Sequence, residues 1–211
     1  RIYENLKKAI QYIISIHIPI ILIVTVPLLL FWKYTNIFTP VHVIFLELIM
    51  GPTCSIIFEN EPIEPDSMNK APRKLSTSFF SFNELSMSII QGLVITAVCL
   101  GLGYYYMENE HTIAEVRTII YSTLILSNIF LTLSNRSFYY SVLTTIQYKN
   151  ILIPLILSAS LIILMLSIYF TPFQNIFQFV PLQAIDLSYC LIAAFAGVMW
   201  IEIVKFIKRR T

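Results

Sequence analysis

Charged residues are scarce in this sequence. Asp, Glu, Lys and Arg together make up 12% of its 211 residues, whereas 57% of the residues are hydrophobic. A typical soluble domain carries about 25% charged residues. The composition therefore excludes an ordinary soluble domain and predicts a polytopic membrane protein. The formal net charge of +2 is too small to indicate a partner by itself.

Cysteine and the common short motifs are equally sparse. The three cysteines, Cys54, Cys99 and Cys190, lie at irregular spacing inside apolar segments, and no Cys-x-x-Cys pair occurs. This pattern favours buried thiols over a disulfide framework. We find no signal peptide, no internal repeat and no nucleic-acid-binding signature, since the basic residues stand at the ends of apolar segments. Because the chain begins with Arg1 rather than Met, we expect a piece of a longer protein.

Six apolar segments are long enough to cross a bilayer, which takes about 20 helical residues. They lie at residues 9–32, 41–58, 85–106, 112–133, 151–170 and 184–204. The sequence therefore predicts an all-α fold, a polytopic bundle of six transmembrane helices within residues 1–211. Residues 1–8 are expected to form a polar helical lead-in to the first span, and residues 59–84 to form the longest polar loop.

The distribution of lysine and arginine predicts the orientation of the chain. Only Lys33 and Arg117 lie on one side of the predicted spans. The remaining basic residues lie on the other side: Arg1, Lys7, Lys8, Lys70, Arg73, Lys74, Arg136, Lys149, Lys205, Lys208, Arg209 and Arg210. Because basic residues concentrate in cytoplasmic segments, both termini and the long loop are expected in the cytoplasm.

The second span carries the most informative pattern. Glu47 lies near its middle, and Gly51 and Pro52 follow one turn later. A carboxylate at that depth costs roughly 3 kcal/mol on insertion scales, so it is expected to face a partner or an ion. Pro52 has no N–H, so the carbonyl of Leu48 loses its helical hydrogen bond and the helix is predicted to bend or unwind. Transporters bind ions at such broken helices, and a structural Glu beside a proline kink is the alternative.

The first span repeats this combination of a proline and a polar side chain. Pro19 frees the carbonyl of Ser15, and His17 places an imidazole at similar depth. A histidine inside a membrane span also serves as a hydrogen-bonding group between helices. Both a cation ligand and a helix–helix contact therefore stay open for His17.

Together these groups predict a cation site. The candidate ligands are Glu47, His17, Asn135, Gly51 and the carbonyls of Ser15 and Leu48. Oxygen ligands from carboxylate, carbonyl and amide groups suit a hard cation such as calcium. Adding the imidazole and the sulfur of Met50 or Cys54 would suit a softer metal, although these sulfurs could equally serve only in packing.

Four segments carry a family resemblance. They are RIYENLKKAIQYIIS, LELIMGPTCSIIFENEP, PDSMNKAPR and LTLSNRS. In that order they resemble the stalk and start of the fifth membrane helix, the ion-binding sixth helix, a cytoplasmic loop and the end of the eighth helix of P-type cation-transporting ATPases in the calcium-pump branch. The resemblance spans nearly the whole chain.

The resemblance implies helices five to ten of a ten-helix transport domain, the ion-translocating membrane half of an ATP-driven pump for a divalent cation such as calcium. The chain contains neither an Asp-Lys-Thr-Gly-Thr phosphorylation motif nor a nucleotide domain, so we expect it to be catalytically inert alone. ATP and Mg²⁺ would then act on the intact parent. The expected partners are the lipid bilayer, the transported cation, the first four helices and the cytoplasmic domains, in a bacterial plasma membrane.

The resemblance also implies roles for single residues. His17 and Glu47 stand where calcium pumps of the animal reticulum have ligand Asn residues, and Asn135 stands where the family has a Glu. Ile20 and Gly51 stand where those pumps have acidic ligands. With Glu47 as the only acid on these helices, at most one divalent cation is expected, and manganese, another divalent metal or a proton stays open beside calcium.

Two other functions are compatible with the residues alone. One is a carrier or channel that binds cations at kinked helices without ATP. The other is a structural or sensory bundle in which Glu47 only fixes helix packing. An aspartyl-phosphorylation motif encoded upstream of Arg1 would decide for the pump.

Overall fold

In a computed structural model, residues 2–62 and 82–210 form a bundle of helices, and no strand occurs in these residues. The long helices are α1 (Ile2–Leu29), α2 (Pro40–Pro52), α3 (Phe82–Glu108), α4 (Ile113–Ser134), α6 (Leu152–Tyr169) and α8 (Ala184–Arg210). A π-helix (Thr53–Phe58) continues α2. Two short helices, α5 (Val142–Thr145) and α7 (Thr171–Phe177), lie in the connections.

In the described part of the chain, six helical segments are long and apolar enough to cross a membrane, with α2 and the π-helix counted as one. The predicted all-α bundle of six membrane helices is therefore confirmed. α1 runs without interruption from the polar lead-in through both Pro19 and Pro27. α3 begins at Phe82, so residues 82–84, predicted as loop, are helical. Residues 63–81 of that loop lie outside the described part of the chain.

The connections sort into two ends of the bundle. One, which we name the terminal end, carries the start of α1, the end of the π-helix, the start of α3, the α4–α6 connection and the end of α8. The opposite end carries the α1–α2, α3–α4 and α6–α8 connections. Six alternating spans place both termini at the terminal end.

α4 is the central helix. In the apolar part of α4, 89% of the residues are buried, against 28–40% in the other five spans. The hydroxyl groups of Thr118, Ser122 and Thr123 donate to carbonyls one turn back in the same helix, at 2.6–2.8 Å. Polar side chains can be buried here because these bonds satisfy them within α4.

α1 and α3 pack with their backbones in near contact. A Cβ at Gly92 of α3 would lie 2.8 Å from Ile18 Cβ and 3.0 Å from the carbonyl oxygen of Ser15. Only glycine fits at such a distance, as is common where membrane helices meet through small residues. This contact fixes which faces of α1 remain for the other helices.

The first turn of α2 is held by its own histidine. Thr39 precedes Pro40 at the helix start, and its backbone N–H donates to His42 Nδ1 at 3.1 Å. His42 Nε2 lies 2.7 Å from the carbonyl oxygen of Phe177, to which it donates. The buried imidazole thus takes the place of the Glu in a capping box, which accepts from the residue before the helix.

Candidate cation site

The packing of α1 against α2 brings His17 and Glu47 together. His17 Nε2 lies 3.2 Å from Glu47 Oε1, and the two side chains are 43% and 41% exposed. His17 Nδ1 lies 2.8 Å from the carbonyl oxygen of Ile13, one turn back in α1. Glu47 follows Pro40, the first residue of α2, by seven positions, or about 10 Å of helix, so the pair lies inside the membrane-spanning layer.

The two ring nitrogens of His17 have different neighbours. A carbonyl oxygen only accepts, so Nδ1 of His17 donates to the Ile13 carbonyl oxygen. Nε2 of His17 faces Oε1 of Glu47 at ion-pair distance. We find no hydrogen bond to Oε2 from residues 2–62 or 82–210.

Glu47 lies on the outer face of α2. Its neighbours along this face, Ile44 and Leu48, are 69% and 67% exposed. Gly51, one turn further, is exposed, and no atom lies within 4 Å of the position that its Cβ would occupy. The inner face of the helix is instead buried, and Met50 belongs to it at 2% exposure. The six helices therefore leave the Glu47 face uncovered.

Ser15 and Asn135 belong to a second polar cluster. Ser15 Oγ donates to Gln91 Oε1 at 3.0 Å, and Gln91 Nε2 donates to Asn135 Oδ1 at 3.2 Å. The buried Nδ2 of Asn135 has no hydrogen-bond partner among the described residues. Gln91 and Asn135 also line a cavity of about 230 Å³ towards the terminal end, next to Lys205.

The candidate ligands are thus divided between two places. Residues two positions apart on an α-helix point about 200° apart, so Ser15 and His17 face opposite sides of α1. Glu47 lies with His17 and beside Gly51, with Leu48 on the same outer face, whereas Ser15 and Asn135 meet through Gln91. Among the side chains that the structure describes, which do not include Cys54, no three His, Cys, Asp or Glu residues form a cluster that could hold a metal.

The backbone after Glu47 stays helical, although the proline pattern predicts a bend or unwinding. α2 continues in α-geometry to Pro52, and residues Thr53–Phe58 then adopt a π-helix. The irregularity follows the proline instead of preceding it, and it widens the helix without opening it. π-helical turns are rare and occur frequently at functional sites. The structure describes only the backbone at Cys54.

A buried ion pair holds the chain just after the π-helix. Arg136 Nε donates to Glu61 Oε1 at 2.8 Å, and the two side chains are 2% and 0% exposed. Asn150 Nδ2 donates to Glu61 Oε2 at 2.9 Å, and Asn5 Nδ2 donates to the Glu61 carbonyl oxygen at 2.8 Å. Glu61 therefore ties the chain just after the π-helix to α1, to the end of α4 and to the start of α6.

Sequence reasoning missed two of these residues. Gln91 is an amide near the start of an apolar span and directly before Gly92, and this position could have marked it as a buried helix–helix contact. Glu61 stands in a segment rich in charge and proline, where a carboxylate is normally exposed. No local signal separates it from Glu59, which is exposed.

Comparisons with known proteins agree with this architecture. A family model described as "Cation transporting ATPase, C-terminus" matches residues 35–207. Calcium-transporting ATPase 1 of Lactococcus lactis is 28% identical over 136 residues, 64% of this chain and 15% of that protein. Human calcium-transporting ATPase type 2C member 1 is 24% identical over 210 residues, 99% of the chain and 22% of that protein. The calcium-transporting ATPase of Bacillus subtilis is 25% identical over 187 residues, 88% of the chain and 21% of that protein. The chain thus spans between 15% and 22% of the length of these relatives.

Proposed function

The chain belongs to the cation-transporting ATPases and matches their C-terminal region, and on this premise we propose that it is the ion-translocating membrane half of an ATP-driven pump. The cargo is a divalent cation such as calcium. The observation that carries the proposal is the His17–Glu47 pair at 3.2 Å on an uncovered helix face inside the membrane layer.

The exposure of this pair supports a larger assembly. A charged group facing lipid at the middle of a bilayer costs roughly 3 kcal/mol on insertion scales, and both side chains are about two-fifths exposed. Other helices of the parent protein remove that cost by covering the Glu47 face. We assign this role to the four membrane helices that precede the chain in the parent.

The ligand set favours a single divalent ion. Glu47 supplies a carboxylate, and the open backbone position at Gly51 leaves room for an ion beside it. A cation that took both Glu47 oxygens would replace the contact of Oε1 with His17 Nε2. Hard cations such as calcium prefer oxygen ligands, whereas a role for the imidazole would favour manganese or another transition metal. Two calcium ions would be poorly neutralised by one acid.

The rest of the reaction belongs to the parent protein. A phosphorylated Asp, ATP and Mg²⁺ act in its cytoplasmic domains, and the membrane half converts their cycle into alternating access. The excess of Lys and Arg at the terminal end supports cytoplasmic termini. We place the parent in a bacterial plasma membrane, and an aspartyl-phosphorylation motif encoded upstream of residue 1 is required by the proposal.

The test uses the intact protein that contains this chain, reconstituted in lipid vesicles. Glu47→Gln keeps the size of the side chain and removes its charge. We expect the concentration of cation needed for phosphorylation by ATP to rise more than about tenfold, since the only anionic ligand on these helices is lost. Glu110→Gln, at an exposed acid of the opposite end, serves as the matched control and should leave this concentration unchanged.

ATP hydrolysis should also be measured across calcium, manganese and other divalent cations. ATP binding by the Glu47→Gln variant shows that the protein is folded. Normal cation-dependent phosphorylation in that variant would make Glu47 a structural residue and refute the site. Strong stimulation with two calcium ions per ATP would refute the single-ion site.

A further inference from the structure

A second cavity lies at the terminal end of the bundle, far from Glu47. It has a volume of about 740 Å³ and opens between the end of α4 and the start of α6. Leu133 of α4 and Ile153 and Leu157 of α6 form its apolar wall. Arg136 and Lys149 line the side nearer the chain termini. We name this cavity the interfacial pocket.

The charge of the interfacial pocket is positive. Among the residues that the structure describes, two cations and no carboxylate line it. Glu61, which does not line the pocket, neutralises the charge of Arg136 through the buried ion pair. Lys149 is exposed, and we find no ion pair or hydrogen bond from its ammonium group to residues 2–62 or 82–210. One uncompensated positive charge therefore stands at the mouth of a mostly apolar cavity.

The pocket lies at the level where a membrane changes from headgroups to hydrocarbon. The apolar span of α6 begins at Leu152, three residues after Lys149. Within α6, Leu157 lies about 7 Å further along the helix than its first residue, Leu152. A phosphate held by Lys149 would thus place an acyl chain along Ile153 and Leu157.

We propose that the interfacial pocket binds one anionic phospholipid, with its phosphate at Lys149 and an acyl chain against the α4–α6 wall. Basic pockets between membrane helices bind acidic lipid headgroups, and each basic residue adds about 1 kcal/mol near an anionic surface. A zwitterionic lipid can make the same apolar contacts with the α4–α6 wall, but it carries no net negative charge to attract Lys149.

A lipid in this pocket would touch the two residues that hydrogen-bond to the Glu61 carboxylate. Arg136 and Asn150 line the pocket and also hold Glu61 by hydrogen bonds. A lipid that packs against Arg136 and Asn150 would add contacts to both residues and so stabilise the segment from α4 to α6. This inference requires a membrane-embedded chain but does not depend on ion transport.

The experiment compares the intact protein in discs of pure phosphatidylcholine and in discs with an equimolar share of phosphatidylglycerol. Native mass spectrometry counts retained lipids, and thermal unfolding measures the stabilisation. We expect one phosphatidylglycerol to be retained by the unmodified protein and to bind about fivefold more weakly to Lys149→Gln. Lys33→Gln removes an exposed lysine at the opposite end and should retain the lipid.

A second variant separates the pocket from general surface charge. Leu157→Trp narrows the apolar wall and leaves both cations in place, so it should also weaken retention of the lipid. Equal retention by Lys149→Gln and the unmodified protein would overturn the proposal. Equal loss in Lys149→Gln and Lys33→Gln would also overturn it, because the lipid would then respond to total charge alone.

Discussion

The ion pair between Glu61 and Arg136 is expected to be among the most sensitive contacts of the bundle. Glu61→Gln keeps the shape of the side chain but leaves the guanidinium of Arg136, 2% exposed, without its counter-charge. Breaking a buried ion pair by removing one partner costs about 3–5 kcal/mol. Arg136 keeps a hydrogen bond to the Tyr148 carbonyl oxygen at 3.3 Å. The Gln oxygen can accept from only one of Arg136 and Asn150, and its NH2 group then faces the other donor. We therefore expect a loss of about 3–5 kcal/mol.

The assay is equilibrium unfolding of the intact protein by denaturant in detergent micelles. Glu59→Gln is the matched control, because Glu59 is two residues away and exposed. Its effect on the free energy of unfolding should stay within about 0.5 kcal/mol. Replacing both partners, with Glu61→Leu and Arg136→Met, should recover most of the loss, since apolar pairs of similar volume often replace buried ion pairs without cost.

Two results would refute this reasoning. Equal unfolding free energies for Glu61→Gln and Glu59→Gln would mean that the pair does not hold this end of the bundle. A double variant less stable than Glu61→Gln would mean that the hydrogen bonds to Asn150 and Tyr148, and not the uncompensated charge, dominate the cost.

The close packing at Gly92 and the hydrogen bonds of His42 each give a testable prediction. Gly92→Val should lower the free energy of unfolding by about 1–3 kcal/mol, because its Cβ would lie 2.8 Å from Ile18 Cβ. Gly101→Val, where no atom lies within 4 Å, should cost clearly less in the same denaturant titration, and equal costs would contradict the close α1–α3 contact. His42→Leu removes the acceptor of the Thr39 N–H and the donor to Phe177, so we expect a loss of about 1–2 kcal/mol and faster hydrogen exchange at the Thr39 amide. His42→Gln can supply both groups and should recover part of the loss, and unchanged exchange in His42→Leu would rule out the capping role.

The number and approximate limits of the spans could be predicted because they depend on local composition. A bilayer needs about 20 apolar helical residues, and each predicted segment met that length. Residues 82–84, predicted as loop, are helical, and Glu84 in this turn pairs with Lys7 of α1 at 2.6 Å. An ion pair of such sequence separation leaves no local signal.

Sequence reasoning could predict the residues of the candidate site but not their contact. His17 and Glu47 could be named because polar groups inside apolar spans are costly. Their contact could not, because it depends on how α1 turns when Gly92 of α3 fits against it. The separation of Ser15 from His17 follows from helix geometry alone and could have been predicted. The grouping of all candidate ligands in one site stays a prediction.

The π-helix would allow the second span to rotate about its own axis. A π-turn holds one residue more than an α-turn. If Thr53–Phe58 tightened to α-geometry while Glu61 stayed clamped, the helix before it would rotate by about 100° and advance by about 1.5 Å. This rotation of α2 would move the carboxylate of Glu47 away from His17 and around the helix axis. It would require no hinge, and Glu61 would keep its position.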